Sequence, residues 1–121
     1  MTTNKEAEKR AEGEAAIQAS IEAMNGTDKE LGKKLHPVIS ENAPALMLKT
    51  WYGMPAYANK DGKVVCFFRP AQRFGDRFLQ LGFNDIANLD DGDMWPLVYA
   101  IKEVTPEVEK QIAEVVKRAV S

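Results

Sequence analysis

Lys49-Thr50-Trp51-Tyr52-Gly53-Met54-Pro55-Ala56-Tyr57-Ala58-Asn59-Lys60-Asp61-Gly62-Lys63-Val64-Val65-Cys66-Phe67-Phe68-Arg69 is the stretch whose reading decides the fold. It carries one of the 2 Trp, the sole Cys and two of the 5 Phe in the chain. Thr50-Trp51-Tyr52 is β-branched and aromatic, a composition suited to a pleated, half-buried surface. Gly53-Met54-Pro55 interrupts it, because Gly accepts positive φ and Pro fixes its own φ. Extended chain resumes at Ala56-Tyr57-Ala58. Asp61-Gly62 is then a strong hairpin signal. Val64 to Phe68 is an apolar run of buried-strand length. The stretch therefore predicts three short strands joined by two turns.

On the C-terminal side, 71–76 reads as a loop or single helical turn. Residues 77–83 alternate Phe78, Gln80 and Gly82 against Leu79, Leu81 and Phe83, which predicts a strand. Residues 84–93 are turn-rich and acidic. Residues 95–104 alternate again and predict the last strand, with Pro96 at its start or at a sheet edge. Thr105-Pro106-Glu107 opens a final helix: Thr caps, Pro fits the first turn, and Glu meets the positive helix end. Val108, Ile112, Val115, Val116 and Ala119 give that helix an apolar stripe.

On the N-terminal side, 4–25 predicts a charged helix with a thin apolar face, Ala7, Ala11, Ile17, Ile21 and Met24, of which the last three form a real stripe over the last two turns. Gly13 should cost it about 1 kcal/mol relative to Ala. This helix reads as solvated, with its C-terminal half docked on the sheet. Thr27-Asp28-Lys29-Glu30 has the pattern of a capping box. Leu31, Leu35, Val38 and Ile39 form the apolar face of the helix that follows. Pro37 predicts a kink, and His36 beside it reads as a surface histidine. The fold expected is α+β, in the order α-α-β-β-β-β-β-α. A single antiparallel sheet of about five strands would carry helices on one face.

Length and composition set outer bounds. A chain of 121 residues with 28% charged and 45% hydrophobic residues predicts one soluble domain over 1–121. A net charge of −2 gives no general attraction to nucleic acid or to anionic membrane. One Cys forms no internal disulfide, and residues 1–26 lack the apolar core of a secretory signal. The expected location is the cytoplasm.

Pro44-Ala45-Leu46, Lys49, Tyr52-Gly53-Met54-Pro55-Ala56-Tyr57 and the hairpin into Val64-Val65-Cys66-Phe67-Phe68 resemble the YdhG-like family of small bacterial domains. The resemblance covers 31–120, with a longer charged helix ahead of it. Most of that family has no assigned function, and some members are described as frataxin-like iron chaperones. The resemblance therefore implies intracellular iron binding or delivery.

Three constellations carry candidate chemistry. Asp90, Asp91 and Asp93, flanked by Asp85, supply the oxygen ligands that hard cations take, although the spacing is not that of an EF-hand loop. Trp51, Tyr52, Met54, Tyr57 and Trp95 can line an aromatic pocket, with Arg69 at its rim to hold a small organic anion. Arg73 and Arg77 recur at the same four-residue interval as Arg69. Cys66 sits in an apolar strand and reads as a buried hydrophobe rather than a nucleophile. No nucleophile–base pair is evident, so catalysis is not expected. Metal delivery and small-anion binding are the two readings that lead.

Overall fold

The computed structural model describes residues 4–121. Its sheet has five strands: β1 (Met47–Trp51), β2 (Met54–Ala58), β3 (Val64–Arg69), β4 (Leu79–Phe83) and β5 (Val98–Ile101). They form an antiparallel meander in chain order. Helices α1 (Asn4–Glu22) and α2 (Gly26–Asn42) precede it, α4 (Pro106–Ala119) follows, and a short α3 (Ala71–Phe74) lies between β3 and β4. The α+β class and the five antiparallel strands are as expected; α3 adds one helical turn to the order.

Strand alternation sorts the side chains. Leu48, Tyr57, Cys66, Phe68, Leu79, Leu81 and Ile101 point to the face where Ile17, Ile21, Leu35, Ile39 and Val116 from the helices complete the core. Thr105 Oγ1 accepts from the Val108 amide at 3.1 Å, so α4 opens on the cap its sequence predicts. Among the described residues, no helix is long and apolar enough to cross a membrane.

Several local expectations are corrected. The turn between β1 and β2 is Tyr52-Gly53, and Pro55 lies inside β2. Pro55 is tolerated there because the β2–β3 pairing begins only at Ala56, so its missing N–H removes no bond from that ladder. β5 spans four residues, shorter than the 95–104 run. The Thr27 capping box does not form: Asn25 is the N-cap of α2 and no side chain caps it. Pro37 stays within one continuous helix, whose last turns are held by packing of Val38 and Ile39 in the core. His36 is not on the surface; it is 3% exposed.

Cys66 is buried at 1% exposure, and burial pushes its thiol from the ordinary 9.0 up to about 12. The native state keeps a proton that the unfolded chain gives up above pH 9.0. Stability should therefore be whole at neutral pH and fall as pH rises through and beyond that value. Urea midpoints at pH 7 and pH 10 check this: Cys66→Ala should shrink the drop between them, and native Cys66 should react with a thiol probe only as fast as the protein opens. Rapid labelling of the folded chain would contradict a buried thiol.

Candidate functional site

The chain reverses between β1 and β2 over two residues, Tyr52 at φ 52° and Gly53 at φ 76°. Positive φ at both central positions is the type I′ hairpin pattern, which Asn-Gly usually fills. A tyrosine at the first position is strained, since its Cβ crowds the neighbouring carbonyl. Yet Tyr52 is 74% exposed. Its ring meets the Trp51 ring at 5.0 Å, and Trp51 in turn meets Phe67 edge-on at 5.2 Å. Strain held in an exposed aromatic marks the turn as a place to look for function.

Two side chains converge on the same turn. The Ser20 hydroxyl, near the end of α1, donates to the Gly53 carbonyl at 2.6 Å. From α3, the Arg73 guanidinium packs against Gly53 so closely that a Cβ there would fall 3.0 Å from Nη2 and collide with Nη1. Arg73 also lies 4.9 Å from the Phe74 ring centroid, within cation–π range. The ion pairs among the described residues are Lys29–Glu22, Lys33–Glu22, His36–Glu14 and Arg69–Asp76; Arg73 belongs to none of them. Ser20, Met24, Asp28, Gly53, Gln72 and Arg73 border a cavity of about 130 Å³.

Asp28 positions α3, which carries Arg73. It is 6% exposed, and its two carboxylate oxygens accept the Ala71 amide at 3.1 Å and the Gln72 amide at 3.0 Å. A residue at the start of α2 thus satisfies the first free amides of a helix far along the chain. Gly75, at φ 73°, then ends α3, with its amide directed at the Ala71 and Gln72 carbonyls.

The six residues expected to line one pocket are dispersed. Trp51 ends β1 and Tyr52 opens the turn that follows it. Met54, paired with Trp51, is 5% exposed. Tyr57 pairs with Leu48 on the helix-covered face and is fully buried, so it does not approach Trp51. Arg69 is occupied: its Nε donates to Asp76 at 2.6 Å, and its guanidinium lies 4.1 Å from the Phe74 centroid. Trp95 lines a separate depression with Asp85, Asp90 and Asp93. Asp91 does not line it. Among the described residues, no three His, Cys, Asp or Glu side chains group in a way that could hold a metal ion. Three of the four expected metal ligands, Asp85, Asp90 and Asp93, thus share one surface depression without being grouped as a chelating cluster.

A buried polar chain is the feature the sequence concealed. His36 Nε2 stands 2.6 Å from Glu14 Oε2, and His36 Nδ1 stands 2.7 Å from the Tyr57 hydroxyl. The carboxylate of Glu14 only accepts, so Nε2 carries the hydrogen, and in the neutral ring Nδ1 accepts the Tyr57 O–H. Burial, then the neighbouring Cys66 and Glu14, hold the Tyr57 phenol well above its ordinary range, so it stays a donor. No buried side-chain nitrogen or oxygen among the described residues lacks a partner. With His36 and Tyr57 closed to solvent, this polar chain ties α1, α2 and β2 together.

No family model, curated protein or solved structure matches this chain.

Proposed function

We propose that the chain is a binding module for a small organic anion, with Arg73 and the Tyr52-Gly53 turn as its site. The observation that carries this reading is Arg73, which is in no ion pair among the described residues and borders a cavity of about 130 Å³. A guanidinium presents its donors in a planar fork suited to a carboxylate or phosphate. The exposed, strained Tyr52 precedes Gly53 in the turn, and of the two it is Gly53 that lines the cavity. The anion site is thus retained from the sequence reading, with Arg73 in place of Arg69 and without Tyr57 or Trp95.

Strain makes the test sharp. Tyr52→Asn should stabilise the fold by about 1 kcal/mol, because Asn accepts the left-handed conformation far better. The same change should leave ligand binding little altered, since the cavity is lined by Gly53 and Arg73 rather than by the ring. Arg73→Gln should lower affinity more than tenfold, in line with the ~1.5–3 kcal/mol of a hydrogen bond to a charged group, with little effect on the unfolding midpoint. Two-dimensional NMR against a mixture of small metabolite acids reads the binding, and urea unfolding reads the stability. If acids perturb no resonances around Tyr52, Gly53 and Arg73, or if Arg73→Gln binds as the parent does, the site is not there.

A further inference from the structure

We infer that the cavity at Arg73 takes a small zwitterion of the α-amino-acid class, an inference that rests on the anion-binding reading and narrows it. Arg73 and Asp28 both line this cavity, so a cationic and an anionic residue border the same small space. A simple anion would gain from the first and be repelled by the second. The donor and acceptor tally favours a ligand bearing both charges. Arg73 has five N–H donors, and no ion pair among the described residues uses them. Asp28 has about four lone-pair sites, and two are taken by the Ala71 and Gln72 amides. The remaining acceptor capacity of a carboxylate at 6% exposure suits an ammonium group.

Size and lining agree. A cavity of about 130 Å³ is well above the roughly 10–15 Å³ needed to hold one water, which leaves room for an amino acid with a small side chain. Ala23, Met24 and Pro70 give part of the wall an apolar character for that side chain. In this arrangement Arg73 holds the ligand carboxylate and Asp28 holds its ammonium group.

The experiment titrates the full chain at pH 7 with L-alanine, propionate and ethylamine, following amide shifts around Asp28, Gly53 and Arg73. Alanine should bind at least tenfold more tightly than either fragment. Asp28→Asn supplies a crossed result: alanine should weaken at least fivefold, while propionate should hold or tighten because the repelling charge is gone. If Asp28→Asn weakens both ligands equally, Asp28 only caps α3 and the inference fails. If propionate matches alanine on the parent chain, the inference also fails while the anion-binding reading survives. That comparison needs no variant, so it decides even if Asp28→Asn does not fold. If none of the three probes binds, both readings fall.

Discussion

His36→Ala is expected to cost about 3–5 kcal/mol of folding stability, the sum of a cavity and an orphaned polar group. The ring is 3% exposed and packs 5.8 Å from the Tyr57 ring, centroid to centroid. Its removal leaves a void between α1, α2 and the sheet, which such helices close only in part. It also strands the Tyr57 hydroxyl, at 0% exposure, without its acceptor. Glu14 is half-exposed at 46% and can turn to water, so its loss adds little. Tyr57→Phe should cost less, about 1–2 kcal/mol, because the ring stays and only the Nδ1 partner is lost. In the double variant the two losses should overlap by about 1 kcal/mol, as expected for groups in direct contact. Urea unfolding of the three variants measures all of this. A His36→Ala loss below about 1 kcal/mol would mean the polar chain is not held as described.

The elements whose signals are local were legible in the sequence. Thr105-Pro106 starts α4 where it should, and the apolar run at Val64 to Phe68 falls in β3. What was not legible depends on partners distant in sequence. Asp28 looked like part of a capping box for its own helix; it caps α3 instead, 43 positions on, at Ala71. His36 looked superficial because a helix with one apolar face leaves it off the stripe. Here α2 is covered by α1 and α4 and also meets the sheet at Phe68 and Tyr57, so the buried arc is wider than one stripe. The pocket was misassembled for a different reason. Ending β1 after Tyr52 and restarting at Ala56 hides the close turn at Tyr52-Gly53, and with it the pairing of Trp51 with Met54. Because side chains alternate along a strand, Trp51 and Tyr57 then fall on opposite faces. Arg69 and Arg73 could not be told apart from spacing alone; what separates them is Asp76, which folds back onto Arg69 and leaves Arg73 in no ion pair among the described residues.

Gly13→Ala is expected to destabilise the chain by about 2–3 kcal/mol, although intrinsic helix propensity favours Ala there by about 1 kcal/mol. Read as a sequence, Gly13 weakens α1. In the fold it is buried and seats α1 on β1. A Cβ at this position would collide with the Leu48 carbonyl oxygen and lie 2.9 Å from its carbon. The obstacle is backbone inside a paired strand, so no rotamer change relieves it, and α1 must lift. Lifting loosens the other contacts that hold this helix: Ile17 and Ile21, at 0% and 1% exposure, the Arg10 donation to the Leu46 carbonyl at 3.0 Å, and the Glu14–His36 bond. It also draws Ser20 away from the Gly53 carbonyl, so the proposed site should weaken together with the helix. Glu12→Ala, one residue earlier on the exposed face, is the control and should change stability by less than about 0.5 kcal/mol. Urea unfolding gives the magnitudes, and amide hydrogen exchange along α1 shows whether the loss is local. Equal or greater stability in Gly13→Ala would show that α1 does not rest on β1, because then propensity alone would decide the sign.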